Sequence, residues 1–200
     1  RKRTAVSNRV HWYIQNLERE KNKDKRLSIV FICQFHAAWN ACMSTFQEAM
    51  KDPNIEVILL ALPEKEMRQG KSKRVSDITA EIYGEENIAY EYCKSFFPET
   101  INGYDREKDT WFDLHALNPD YVVLSRSNQN YLPAQYRAEV LCTYTKVVHI
   151  PYAYCKMNWD SRAVYRENLA DYTYAIFTEN KMYQEMLRII YHDLFAASWK

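Results

Sequence analysis

Residues 27–50 constrain the fold more than any other stretch, because an apolar run there leads directly into a polar loop and then into an amphipathic helix. The run over 27–33 is almost continuously apolar, which is typical of a strand buried on both faces of a parallel sheet. The helix predicted over 39–51 ends before Asp52-Pro53, since proline stops helical continuation. The segment therefore predicts the first β-loop-α unit of an α/β fold.

The remaining sequence continues this alternation of strands and helices. Further strands are predicted near 55–62, 99–103, 121–125, 146–150 and 172–178, and further helices over 77–96, 134–144 and 180–192. Alternation of this kind is typical of a parallel sheet joined by right-handed crossovers. We therefore predict one Rossmann-like α/β domain over 27–200, with six strands in a parallel sheet and flanking helices, preceded by a helix and a solvated linker over 1–26.

The charge balance and the glycine content exclude several classes of function. There are 27 Lys and Arg residues against 26 Asp and Glu, so no overall field attracts nucleic acid, and we expect no nucleic-acid partner. The basic stretch 63–76 is interpreted as a solvated loop, with an anion-steering loop as the alternative. The chain has three glycines and no GxGxxG, P-loop or GxSxG motif, which nearly excludes a glycine-rich phosphate loop.

The five cysteines are odd in number and form neither a CxxC motif nor a Cys/His cluster. This pattern favours a reducing compartment over a disulfide framework or a zinc site, so we expect no metal and no cofactor. No apolar run approaches the roughly 20 residues that span a bilayer, and no signal-like segment opens the chain. We therefore expect a cytoplasmic protein. Because the chain opens at Arg1 without an initiator methionine, we also expect it to be a piece of a longer one.

Candidate site residues follow three of the predicted strands. Ligands of open α/β sheets bind beyond the carboxyl ends of the strands. The residues placed there are Gln34, His36, Trp39 and Asn40 after the first strand, Arg126 and Asn128 after the strand at 121–125, and Tyr152 after the strand at 146–150.

Four of these candidates have both a functional and a structural interpretation. His36 could act as a general base toward a hydroxyl, or be a plain loop histidine. Arg126 and Asn128 could bind phosphate or hydroxyl groups, or belong to a solvated turn. Tyr152 could stack on a sugar, a ring or a partner surface, or be one of many structural tyrosines. His149, inside an apolar strand, is interpreted as a core histidine with its hydrogen bonds satisfied.

Several segments of the sequence, taken together, resemble parts of one protein family. QFHAAWNACMSTFQEAMKDPNIEVILLALP, INGYD, DLHALNPDYVVLSRSNQNYLPAQYR and KVVHIPYAY resemble the amino-terminal half of CDP-glycerol glycerophosphotransferase-like proteins, which are similar to teichoic-acid and capsule polymerases of the cell wall. The resemblance covers roughly 28–155. It implies one half of a GT-B architecture, with the active site in the cleft between two Rossmann-like domains. The second half, which holds most of the CDP-glycerol contacts, has no counterpart in these 200 residues.

The resemblance also implies a reaction. A transferase of this family moves glycerol phosphate, or a related polyol phosphate, from a CDP-activated donor to a hydroxyl of a polymer or lipid-linked acceptor. His36 matches the histidine implicated as the catalytic base, although Ala37-Ala38 replaces the Gly-Lys pair that often follows it. Arg126 and Asn128 would orient groups of the acceptor. The resemblance then implies that the isolated chain is inactive. It is also compatible with a peripheral contact between the protein and the inner face of a membrane.

Two alternatives stay open at this point. The first is a glycosyltransferase of the same architecture that uses a sugar nucleotide, since a fold does not fix the donor. The second is a non-catalytic Rossmann-like binding module.

Overall fold

The computed structural model describes residues 2–22, 24–64, 87–152 and 169–178, together with 181, 184 and 185. Most of the predicted loop 63–76 and of the predicted helix 180–192 lies outside the described residues. The first part of the helix predicted over 77–96 lies outside them as well.

Six strands form one parallel sheet, which confirms the Rossmann-like α/β prediction. They are β1 (Leu27–Cys33), β2 (Ile55–Ala61), β3 (Ile101–Asn102), β6 (Tyr121–Leu124), β7 (Lys146–His149) and β8 (Ala175–Ile176). Their spatial order is β3-β2-β1-β6-β7-β8 and every pairing is parallel. Counted along this sheet alone, the order is the 3-2-1-4-5-6 order of doubly wound nucleotide-binding folds.

A small antiparallel hairpin follows β3 and was not predicted. It consists of β4 (Tyr104–Asp105) and β5 (Thr110–Trp111), which pair antiparallel. Gly103 precedes the hairpin, and its N–H donates to the Ala61 carbonyl at 2.8 Å. A Cβ at this position would lie 2.4 Å from Leu62 Cδ2 and 2.9 Å from that carbonyl oxygen, so the close approach of the hairpin to β2 requires glycine.

The helices flank the sheet. They are α1 (Lys2–Lys21), α2 (Asn40–Lys51), α3 (Ile88–Lys94), α4 (Leu114–Leu117), α5 (Ala138–Leu141) and α6 (Leu169–Tyr172), with 3-10 turns at His36–Ala38, Gln129–Tyr131 and Ala134–Tyr136. The single helix predicted over 134–144 is wrong in one respect, because the extended backbone of Arg137 separates the last 3-10 turn from α5. The strand predicted near 172–178 is shorter than expected, since α6 occupies its start.

The core lies on both faces of β1, as its continuous apolar run predicts. Val30 and Ile32 pack on one face with residues that include Leu60, Tyr136 and Leu141. Phe31 and Cys33 alternate with them and pack on the other face, against α2 and α3. The thiols at Cys33, Cys42, Cys93 and Cys142 are free and buried.

Helix α1 packs on the sheet through polar side chains and one tryptophan. Gln15 Nε2 donates to the Tyr144 carbonyl at 2.6 Å, and Arg19 Nη1 donates to Asp120 Oδ2 at 3.0 Å. Trp12, on the same side of the helix, packs against the core. Contacts of this kind join α1 to the segments that precede β6 and β7.

A buried lysine adds a further link between α1 and the sheet. Lys146, the first residue of β7, is 2% exposed, and its ammonium donates to Asn16 Oδ1 on α1. The Nζ atom also lies 4.9 Å from the ring centroid of Tyr121 and 5.6 Å from that of Tyr174, within the range of cation–π attraction. Burial lowers the pKa of this ammonium.

No helix in the described part of the chain is long and apolar enough to cross a bilayer.

Candidate functional site

The sheet order places a topological switch point between the carboxyl ends of β1 and β6. These strands are neighbours, with Ile32 opposite Leu124, yet the chain leaves them toward opposite edges of the sheet. Such a switch point is where doubly wound folds bind ligands. Gln34 and Arg126 are the residues that the sequence places there, and the structure brings them into contact.

The Gln34 side chain links the segments that follow three strands, β1, β2 and β6. Its side chain is 3% exposed, and its Oε1 accepts from Arg126 Nη1 at 3.2 Å. Its Nε2 donates to the Tyr131 carbonyl at 2.5 Å and to the Pro63 carbonyl at 3.4 Å. Because its amide is occupied by protein groups, Gln34 positions Arg126 and does not itself offer a free group to a ligand.

The guanidinium of Arg126 contacts two aromatic rings and pairs with no carboxylate among the described residues. Its guanidinium carbon lies 4.1 Å from the ring centroid of Tyr131 and 5.4 Å from that of Phe35. Aromatic faces attract a guanidinium without neutralising it. Among the described residues, no carboxylate pairs with this side chain. The position therefore favours an anion such as a phosphate group.

His36 has a carboxylate on one side of its ring. Nδ1 lies 3.5 Å from Glu64 Oε1, and neither atom has a hydrogen-bond partner among the described residues. The histidine side chain is 38% exposed. An acceptor on the Nδ1 side favours a proton on Nδ1 and a lone pair on Nε2, which is how an oriented imidazole serves as a general base.

Phe35 connects the histidine, the arginine and a third strand exit. Its ring centroid lies 6.2 Å from that of His36 and 5.8 Å from that of Tyr152, which follows β7 and is 39% exposed. Arg126 meets the same ring. We call Gln34, Phe35, His36, Glu64, Arg126, Tyr131 and Tyr152 the switch-point cluster.

The remaining predicted residues lie elsewhere. Trp39 is 1% exposed and packs on Phe46 at 5.5 Å between ring centroids, so the structure does not bring its indole to the surface. Asn40 is exposed at the start of α2. Asn128 is exposed, and its Oδ1 accepts from the Asn130 N–H at 2.9 Å, which stabilises the following 3-10 turn.

His149 is a core histidine with both ring nitrogens bonded, as the sequence predicts. It is fully buried, and Nδ1 lies 2.9 Å from the Leu124 carbonyl oxygen, which can only accept. The proton is therefore on Nδ1, and Nε2 accepts from the Ser127 hydroxyl at 3.2 Å. Burial lowers the pKa of the imidazole to about 4. The ring stays neutral at pH 7 and holds the start of the loop that carries Arg126.

Sequence reasoning missed Phe35, Glu64 and Tyr131. Glu64 follows β2 by three residues, so the same rule of strand exits would have found it. Phe35 and Tyr131 contact the Arg126 guanidinium through their aromatic rings. A search of the sequence for polar or charged site residues therefore does not find them.

An open cleft adjoins the switch-point cluster beyond β2 and β3. Its volume is about 440 Å³, and it is lined by Pro63, Asn87, Asn102, Tyr104, Asp105, Arg106 and Glu107. The carbonyl of Pro63 accepts from Gln34, so cleft and cluster share one edge of the sheet. Amides, carboxylates and a tyrosine are groups that bind hydroxyl-rich ligands.

Fold and site together define a doubly wound α/β domain with a histidine, an arginine and aromatic rings at its switch point. Within the described residues, no cluster of three or more His, Cys, Asp or Glu side chains could hold a metal ion. Comparison of the chain with protein-family models, with curated proteins and with solved structures found no match.

Proposed function

We propose that the chain is the acceptor-side domain of a transferase that moves glycerol phosphate, or a related polyol phosphate, from a CDP-activated donor to an acceptor hydroxyl. The acceptor is a cell-surface polymer or a lipid-linked precursor. One observation carries the proposal: His36, with Glu64 on its Nδ1 side, and Arg126, held between two rings, meet the same phenyl ring of Phe35. A base and a phosphate-binding cation are the two groups that transfer of a phosphoryl group to a hydroxyl requires.

The chemistry follows from the two side chains. His36 Nε2 takes the proton of the acceptor hydroxyl while its oxygen attacks the polyol-bearing phosphorus of the donor. An oxygen–phosphorus bond forms there, the bond from that phosphorus to the bridging oxygen breaks, and CMP leaves. Glu64 stabilises the imidazolium that results. Arg126 binds phosphate oxygens and so orients the reacting groups.

Two further observations support the acceptor side of the proposal. The cleft beyond β2 and β3 offers polar groups at the same edge of the sheet as the histidine, where a polyol chain would extend. Tyr152 presents an exposed ring on the other side of Phe35, where it could pack on the carbon atoms of such a chain. The CDP-activated donor is supported by the sequence resemblance, which assigns most donor contacts to a second domain.

The test is CMP release from CDP-glycerol by the protein encoded by the whole natural reading frame. His36→Ala should lower kcat by about 10²- to 10⁴-fold, the usual contribution of a general base. His115→Ala, an exposed histidine on α4, is the matched control and should leave kcat within about twofold. Unchanged turnover in His36→Ala would remove this residue from the mechanism. Absence of CMP release from the wild type, with sugar nucleotides accepted instead, would refute the donor assignment.

A further inference from the structure

The buried amide of Gln34 is fixed in one orientation. Its Nε2 lies 2.5 Å from the Tyr131 carbonyl oxygen and 3.4 Å from the Pro63 carbonyl oxygen, and both oxygens can only accept hydrogen bonds. The nitrogen must therefore occupy this end of the amide, and the oxygen must face Arg126 Nη1 at 3.2 Å. Arg126 thus meets a neutral oxygen, although a carboxylate would be the usual partner of a guanidinium.

Gln34 uses only a small part of what Arg126 can donate. A guanidinium carries five N–H groups, and Gln34 accepts from one of them, on Nη1. No other residue in the described part of the chain accepts a hydrogen bond from this side chain. The edge that joins Nε to Nη2 is therefore available to a ligand, and its two parallel N–H groups match two oxygens of one anionic group.

A carboxylate in place of this amide would change the charge of the site. Glutamate has the same shape as glutamine, so its carboxylate would lie at the same short distance from Arg126 and pair with it. That internal ion pair would compete with an anionic ligand for one guanidinium. The choice of an amide at position 34 is therefore a choice about the charge that a ligand meets.

We propose that Gln34 is the residue that determines the specificity of this site for an anion. Its neutral, oriented amide leaves the charge of Arg126 uncompensated and the Nε–Nη2 edge free for a phosphate group of the substrate. Gln34 acts through Arg126, so it is a positioning residue and does not contact the reacting atoms. The inference rests on the anion-binding role that the proposed function gives to Arg126, and not on the identity of the donor or the acceptor.

The test is the affinity of the protein encoded by the whole natural reading frame for inorganic pyrophosphate, measured by isothermal titration calorimetry. Gln34→Glu should weaken binding by about tenfold or more, because its carboxylate competes for the guanidinium. Gln34→Met is neutral and of similar length, and it should weaken binding by less than about threefold. Gln47→Glu, at an exposed position on α2, adds the same charge elsewhere and should change the affinity by less than about twofold.

The two Gln34 variants separate charge from structure. Met loses every hydrogen bond of the amide, whereas Glu keeps an acceptor for Arg126, so a merely structural role predicts that Gln34→Met binds at least as weakly as Gln34→Glu. That order, or equal affinity of the wild type and Gln34→Glu, would overturn the proposal. Tighter binding of malonate than of pyrophosphate by the wild type would overturn the assignment to phosphate.

A second measurement decides if either variant does not fold. The NMR resonance of the Arg126 Nε–H in the wild type should shift on addition of pyrophosphate and not on addition of sodium chloride at the same ionic strength. An unshifted resonance would count against the proposal.

These measurements do not depend on turnover. Absence of CMP release with the expected order of affinities would refute the proposed reaction alone. CMP release with equal affinities in the wild type and Gln34→Glu would refute the role of Gln34 alone.

Discussion

The buried imidazole of His149 makes the stability of the domain depend on pH. Burial lowers its pKa from the ordinary 6.5 to about 4, so between these values the unfolded chain binds a proton that the folded chain does not. Stability therefore rises with pH in this window and is lost as the pH falls below 6.5. The whole pKa difference corresponds to about 3 kcal/mol of the free energy of unfolding. About 2 kcal/mol of this is lost between pH 7 and pH 5.

Urea unfolding of the wild type and of His149→Gln at pH 7 and pH 5 measures this effect. Carboxylates contribute equally to both proteins, so the difference in their pH dependence isolates the histidine. We expect the wild type to lose about 2 kcal/mol more than the variant, which is about 1 M in urea midpoint. Equal pH dependence in the two proteins would refute the reasoning. If the variant does not fold, NMR titration of the wild-type imidazole decides, and a pKa near 6.5 would refute it equally.

Two further predictions concern the edge of the sheet that carries the site. Gly103→Ala should lower the free energy of unfolding by about 1–3 kcal/mol in urea titrations, because the added Cβ would overlap Leu62. Thr110→Ala, at an exposed position, is the control and should change this free energy by less than about 0.5 kcal/mol. An equal effect of both substitutions would contradict the packing argument. Arg126→Gln should raise KM for the phosphate-bearing substrate about tenfold or more, while Lys94→Gln on the surface leaves it unchanged. A KM unaffected by Arg126→Gln would exclude a phosphate contact there.

The parts of the fold that the sequence predicts best are those with a continuous apolar signal. The run over 27–33 identified β1, and the switch point then followed because polar residues come directly after a buried strand. The hairpin of β4 and β5 was missed because each strand has two residues, too few for a period to show. The helical period over α1 identified a helix without showing which face packs, since hydrogen bonds from Gln15 and Arg19, and not apolar burial, attach much of it to the sheet.

The positions of the candidate residues were predicted at the level of strand exits and not of individual contacts. Trp39 was assigned to the loop after β1 because of its position in the sequence. The 3-10 turn at His36–Ala38 instead carries its indole under the loop and into the core. Arg126 was placed correctly at the sheet edge, but its fixation between Phe35 and Tyr131 depends on loop geometry that no local pattern encodes.

The buried ammonium of Lys146 has a mechanical consequence for α1. Its amide partner Asn16 is on that helix, so detaching α1 would break this hydrogen bond together with those that Gln15 and Arg19 donate. Helix and sheet should accordingly open together in hydrogen exchange and not as separate units. A force applied to α1 would therefore act on the whole domain, because packing and hydrogen bonds, and not a flexible tether, join the helix to the sheet.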